Sequence, residues 1–160
     1  MTGRVKTRPV TNADDDLLYE IYCSTRADEV AGFGWERDAI DAFLRMQFDA
    51  RQRAYESTYA GCENAILLFD GRDAGSIIIE RGEREIALVD IAVLTEFRKN
   101  GVATHVIEKL QAEAAMSGRP FTLRVSKQNT RAIALYEKLG FRLVGESDLM
   151  FAMEWLPARR

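Results

Sequence analysis

The chain has almost none of the residues on which metal and disulfide chemistry depend. Its 160 residues include one histidine and two cysteines, and His105, Cys23 and Cys62 stand at no spacing that would gather three or four ligands around an ion. No metal site is expected. Cys23 and Cys62 lie far apart, and Met1 to Arg8 is polar and basic with no apolar run behind it. That pattern reads as a cytoplasmic chain with reduced thiols rather than an exported one. No apolar stretch approaches the ~20 residues needed to cross a bilayer, so no membrane partner is expected. Neither charge sign is in excess: 22 Lys and Arg against 25 Asp and Glu leave a formal charge of -3, which offers no basic face for nucleic acid. Linkers, low-complexity tracts and internal repeats are missing too. A single domain over 1–160 follows, long enough to bury roughly 70% of the surface its unfolded chain exposes.

What is present is periodicity that switches between strand and helix. Residues 4–10 read as a strand. Asn12 is the expected N-cap of a first helix whose opening turn carries Asp14, Asp15 and Asp16, with Leu17, Leu18, Ile21 and Tyr22 at helical spacing as far as Glu29. A loop with Phe33 and Trp35 leads to a long second helix, from Glu36 to near Gly61, with Ile40, Phe43, Leu44, Phe48 and Tyr55 on one side. Strands are expected at Ala65–Phe69 and Gly75–Glu80, joined by Asp70-Gly71. The run from Ile86 to Val93, broken only by Asp90, reads as a central strand buried on both faces. A helix follows Gly101 and stops at Gly118 and Pro120. Then come a strand at Phe121–Val125, a short helix from Ala132 to Leu139 capped by Asn129, and closing strands at Phe141–Val144 and Met150–Trp155. The order β-α-α-β-β-β-α-β-α-β-β predicts an α/β (α+β) fold: a mostly antiparallel mixed sheet of six to seven strands with about four helices on its two faces.

Two segments carry chemistry. In the first, Arg98-Lys99-Asn100-Gly101-Val102-Ala103-Thr104, a strand runs through a glycine turn into a helix start. Free backbone amides gathered there, with the positive end of the helix dipole, suit a pyrophosphate, and Ala103 keeps the approach uncrowded. A plain strand-to-helix turn would read the same way in isolation. The second segment runs from Asn129 to Phe141 and places Tyr136 four residues before Gly140.

Together these segments resemble the GNAT superfamily of acyl-CoA-dependent N-acyltransferases. The first is similar to its Arg/Gln-x-x-Gly-x-Gly/Ala motif, as Arg98, Gly101 and Ala103. The second is similar to its Asn-x-x-Ala-x-x-x-Tyr-x-x-x-Gly-Phe motif, as Asn129, Ala132, Tyr136, Gly140 and Phe141. The resemblance implies acetyl-CoA as acyl donor and the amine of a small molecule or peptide as acceptor. It also implies a bulged strand whose backbone around Ile91, Ala92 and Val93 pairs with the pantetheine arm. The amides of Arg98 to Thr104 would then hold the pyrophosphate, Asn129 would fix the arm and Ala132 would let it pass. Arg98, Lys99, Arg131 and His105 stand where phosphate charge would arrive. Direct attack of the amine needs no enzyme nucleophile. Tyr136 is then the general acid, since a phenol of pKa about 10 is protonated at neutral pH, or else an aromatic anchor for its helix. Homodimers occur in this superfamily, and Met150–Trp155 is the candidate contact. A second class, an acyl-CoA-binding sensor or interaction module without catalysis, fits the same motifs.

The general base is less marked. Asp90, an acid in an apolar strand beside the reaction centre, is the first candidate, and a structural carboxylate tied to backbone or to an arginine is the other reading. Glu80 and Glu85 read as solvated sheet-edge residues. Where protein-directed relatives carry Leu-Glu-Val with a basic Glu, this chain has Leu123-Arg124-Val125. An arginine cannot serve as base; Arg124 reads either as facing a substrate carboxylate or phosphate or as an exposed sheet residue paired with a nearby acid. The usual turn proline is Thr95, and Lys99 stands where glycine is common, a compatible change where no positive φ is needed. Phe33 and Trp35 are the candidate acceptor-pocket aromatics, with Tyr55 and Tyr59 nearby; Phe43 and Phe48 are assigned to the core.

Overall fold

The structure, a computed structural model, describes residues 4–158; the remaining termini of the expected 1–160 domain lie outside the described residues. The elements are β1 (Val5–Pro9), α1 (Asp15–Ala31), α2 (Arg37–Thr58), β2 (Glu63–Phe69), β3 (Arg72–Arg81), β4 (Ile86–Val93), α3 (Val102–Ser117), β5 (Phe121–Ser126), α4 (Thr130–Lys138), β6 (Arg142–Glu146) and β7 (Met150–Trp155). They build one seven-stranded sheet in the order β1-β2-β3-β4-β5-β7-β6. All neighbours are antiparallel except β4 and β5. The expected fold class and element order are what the chain adopts.

Alternation along the strands splits the core. Ile77, Ile79, Leu88, Phe121, Leu123 and Val125 point to one face, where Val102, Val106, Ile107, Leu110 and Ala114 form the apolar stripe of α3, the spacing that turns one helical face inward. On the opposite face α1 and α2 cover the sheet through two smaller clusters, one around Ile21, Leu94 and Phe97 and the other around Tyr22, Val30, Leu44 and Phe48. Phe48 is buried as expected; Phe43 is only half-buried.

Local chemistry sets the element ends, with one correction. Thr11, not Asn12, caps the entry to α1. Its hydroxyl accepts from the Ala13 amide at 3.3 Å, and the Asp14 carboxylate accepts from the Thr11 amide at 2.8 Å. This reciprocal box closes a 3-10 turn, Asn12–Asp14, ahead of the helix. Asp14 is thereby buried and bonded twice by Arg8, at 2.9 Å each, instead of standing free in the first turn. α3 ends at Gly118, whose left-handed backbone (φ 69°) returns its amide to the carbonyls of Ala114 and Ala115.

The run Ile86–Val93 is central but not buried on both faces throughout. Ile86 and Leu88 are buried, while Val89 to Val93 are half-buried. The cause is a change of partners. Ile79 pairs with Leu88 but Ile78 pairs with Asp90, so Val89 is the extra residue of a bulge. β5 keeps register only over Ile86–Phe121, Ala87–Thr122 and Leu88–Leu123. On the other side Gly75 is pressed against β4: a Cβ there would sit 2.1 Å from the Ala92 carbonyl oxygen.

Candidate active site

Beyond Leu88 and Leu123 the two parallel strands part, and a notch opens between them. Along its β4 edge lie Asp90, Ile91, Ala92 and Val93, which are paired with β3 on one side only. Main-chain groups on that edge can therefore bond an extended guest as a further strand would. One group on that edge is already engaged, because Arg98 Nε donates to the Val93 carbonyl at 3.2 Å. That bond turns Arg98 back onto the strand end and ties the following loop to it.

The loop leads into the N-terminus of α3. Gly101 holds φ 75° and Lys99 holds φ 69°. The lysine was compatible only where no positive φ is needed, and one is needed there. Asn100 Nδ2 donates to the carbonyls of Phe97 at 3.1 Å and Arg98 at 3.3 Å, which braces the turn from within. The amides of Val102, Ala103 and Thr104 are first-turn donors that have no intrahelical acceptor. With the helix dipole behind them they suit an anion. Lys99 and His105 are exposed around this amide cluster, and Arg131 is exposed on α4.

Across the notch, Asn129 Oδ1 caps α4 by accepting from the Ala132 amide at 3.2 Å, and Ala132 is half-buried against the core. Tyr136 is 6% exposed and packs on Phe141, ring centroids 5.7 Å apart. Its hydroxyl makes no hydrogen bond among the described residues, yet no buried polar side-chain atom there is left without a partner, so the hydroxyl reaches open space. Burial first, and the negative charge of Asp90 second, push the Tyr136 phenol up to about 12. The charge of Asp90 thus reaches the Tyr136 phenol.

Asp90 is held by a residue that the sequence did not single out. Arg51 Nη2 donates to Asp90 Oδ2 at 2.7 Å, and the Arg51 guanidinium lies over the rings of Tyr55 at 4.6 Å and Tyr22 at 5.4 Å. Burial disfavours the Arg51 charge, but Asp90 and Tyr55 outweigh it and raise its pKa above the ordinary guanidinium value. Tyr55 is pushed up by burial, which the Arg51 charge partly offsets. Two signals could have found Arg51: an acid inside an apolar strand needs a partner, and Arg51 stands one helical turn before Tyr55 on α2.

The other candidates are distributed. Phe33, Trp35 and Phe43 form a three-ring cluster at the α1–α2 turn, with centroids 5.0 to 5.8 Å apart, and Trp35 is 48% exposed. Arg124 is exposed on β5 opposite Ala152. Glu80 and Glu85 are exposed, and Glu80 Oε2 lies 3.6 Å from Cys62 Sγ. A cleft of about 340 Å³ opens between the start of α1, the end of α2 and strands β2 and β3, lined by Tyr55 and Tyr59 among others. Phe33 and Trp35 sit at the other end of α2 and do not line it.

A splayed strand pair, an amide-lined helix start and a nearly buried phenol on α4 are the features of an acyl-transfer enzyme of the coenzyme A-dependent class. The chain belongs to the acetyltransferase (GNAT) family, whose model matches residues 16–141. Solved structures share the whole fold. PaiA N-acetyltransferase from Thermoplasma acidophilum in complex with coenzyme A aligns with a TM-score of 0.72 at 16% identity, covering 96% of this chain and 99% of that one. The ribosomal-protein-S18-alanine N-acetyltransferase from Escherichia coli aligns with a TM-score of 0.65 at 21% identity, covering 98% and 96%. An acetyltransferase from Thermus thermophilus aligns with a TM-score of 0.68 at 16% identity, covering 98% and 97%.

Proposed function

We propose that this chain moves an acetyl group from acetyl-CoA to a primary amine by direct attack, with Tyr136 as general acid and Asp90 as the carboxylate that accepts the amine proton. The observation that supports this reading is the notch itself: an unpaired β4 edge that runs on into an anion-ready helix start, with a buried phenol that feels the charge of Asp90 on that edge. Acetyl-CoA, as substrate, supplies the thioester. The residues fit it, since the edge from Ile91 to Val93 is free on one side and the amides of Val102 to Thr104 point to where a pyrophosphate would lie.

Each residue has a definable task. A main-chain N–H near Val93 stabilises the oxygen that gains charge as the amine adds. Asp90 Oδ2 is fixed by Arg51, while Oδ1 accepts no bond among the described residues and faces the task of proton acceptor. Tyr136, held near 12, keeps its proton throughout the neutral and mildly alkaline range and gives a hydrogen bond to the sulfur as it departs. Because its pKa exceeds the ~8.5 of an alkyl thiol, the proton stays on the phenol and the departing thiolate is stabilised by that hydrogen bond, while the proton lost by the amine is taken up by Asp90. Arg131 and Lys99 neutralise phosphate charge from the rim. Phe33, Trp35 and Arg124 border the acceptor side, where Arg124 would meet an anionic group.

Calorimetry with acetyl-CoA and a thiol-release assay over an amine panel test the proposal. Tyr136→Phe should lower kcat by about 100-fold or more, the usual weight of a general acid, with acetyl-CoA affinity nearly kept. Unchanged turnover would remove Tyr136 from the mechanism. Gly101→Val should weaken acetyl-CoA binding, because a β-branched residue resists φ 75°. Activity should not fall between pH ~8 and ~10, since the acid stays protonated there.

A further inference from the structure

Arg51 occupies a place on α2 that packing alone would give to an aliphatic side chain. Leu44, Phe48, Arg51 and Tyr55 follow one another at i, i+4, i+7 and i+11, the inward stripe of an amphipathic helix. Leu44 and Phe48 are buried in that stripe, and Arg51 is half-buried. A charge set there must recover in contacts what it loses in hydration. One contact is the bond from Arg51 Nη2 to Asp90 Oδ2 at 2.7 Å. The others are rings: the guanidinium lies over Tyr55 at 4.6 Å and over Tyr22 at 5.4 Å, within the reach of a cation–π attraction.

This aromatic seat is itself held in place. Tyr22 is buried and packs on Phe48, with ring centroids 5.6 Å apart. Its hydroxyl accepts from Arg26 Nη1 at 2.6 Å and donates to Gln47 Oε1 at 3.3 Å, and Arg26 is ion-paired with Glu29. Side chains of α1 and α2 therefore fix the guanidinium that meets β4. Asp90 needs such support. It stands next to the bulge residue Val89, on an edge that β3 pairs and β5 does not.

We propose that Arg51, seated on Tyr22 and Tyr55, is a positioning residue for the transfer, holding the Asp90 carboxylate so that Oδ1 meets the amine proton. The assignment rests on the reading of Asp90 as proton acceptor given above. Arg51 acts through Asp90 and not on the substrates. Its flat fork is required, because a lysine offers one point charge and no plane to lie on the rings.

Thiol-release kinetics and acetyl-CoA calorimetry on four single variants and one double variant test this. Arg51→Met should lower kcat about 100-fold, the cost of a misplacement of about 1 Å, with acetyl-CoA affinity kept. Arg51→Lys should lose nearly as much. Tyr55→Leu leaves both charges in place and should lower kcat about 10-fold, and Tyr55→Phe, which keeps the ring, should recover most of that loss. It is also the second route should thermal melts show Arg51→Met unfolded. Once Asp90 is asparagine, adding Arg51→Met should cost nothing further, since the two act as one unit. Full rescue by lysine, an equal cost of Arg51→Met with and without Asp90, or acetyl-CoA affinity lost along with kcat overturns the proposal. Unchanged turnover in Asp90→Asn instead removes the proton-acceptor reading, and the positioning role with it. If no amine releases thiol from the wild type, the acyl-transfer reading fails, and nitrogen NMR of the guanidinium decides the seat. Separate, slowly exchanging Arg51 Nη signals that are lost in Asp90→Asn and in Tyr55→Leu sustain it. Averaged signals in the wild type, or signals unchanged in either variant, refute it.

Discussion

Lys99 shows how much a single side chain can be at odds with its backbone. A lysine at φ 69° carries a cost of about 1 kcal/mol that glycine would not. Lys99→Gly should therefore raise the denaturation midpoint by an amount of that order, read in urea, while removing one rim charge. Asp14 works in the opposite direction. Arg8 first and the Thr11 amide second hold its carboxyl at about 2, below the ~3.9 of an unfolded aspartate. Its stabilisation is complete above about pH 4 and is lost as pH falls through 2. Asp14→Asn should consequently flatten the acid side of the stability profile, measured as urea midpoints from pH 5 downward. Tyr136 has the mirror behaviour: its pKa is raised, so its contribution is whole below pH ~10 and fades as pH climbs through 12.

At the scale of elements, what could be read from the sequence was whatever depends on local pattern. The apolar stripe of α3, the stops at Gly118 and Gly140, the hairpin at Asp70-Gly71 and the capping of α4 by Asn129 all follow from spacing and turn chemistry. The two candidate site segments were legible as family motifs, with Arg98, Gly101 and Ala103 in one and Asn129, Ala132, Tyr136, Gly140 and Phe141 in the other. Contacts between distant elements were not. An acid in an apolar strand signals that Asp90 needs a partner, but the choice of Arg51, 39 positions away, is made by tertiary packing, and nothing around Tyr55 announces a cleft at the end of α2. The cap was misplaced by one residue because Thr11 and Asn12 are both good caps, and only the reach of the Asp14 carboxylate separates them. Gly75 is a further case: a glycine in a buried strand, explained only by the Ala92 carbonyl opposite it. Gly75→Ala should destabilise the fold by about 3 kcal/mol as an overpacking change, visible as a lower denaturant midpoint with an unchanged slope.

Across the whole molecule, the sheet is asymmetric in its own bonding. The antiparallel neighbours share five or more register pairs, apart from the β6–β7 edge, while β4 and β5 share three. β1 to β4 therefore form one half-sheet, and β5, β7 and β6 form another, joined by Ile86, Ala87 and Leu88 against Phe121, Thr122 and Leu123 and by the apolar face of α3. Removing one of the joining side chains should be costly: Leu88→Ala or Leu123→Ala is expected to lose about 3 kcal/mol, read from thermal melts. The sparse seam has a consequence for stability as well as for catalysis. A donor lying along β4, as proposed, would complete the hydrogen bonding that the short β5 pairing leaves undone, so the sheet would be full only in the loaded protein. Amide exchange at Leu88 and Leu123 should slow on addition of coenzyme A more than exchange at Ile66 or Ile77, deep in the antiparallel half. Degradation in the cell would then depend on donor supply: the starved enzyme, held along three residue pairs, is the form that opens first.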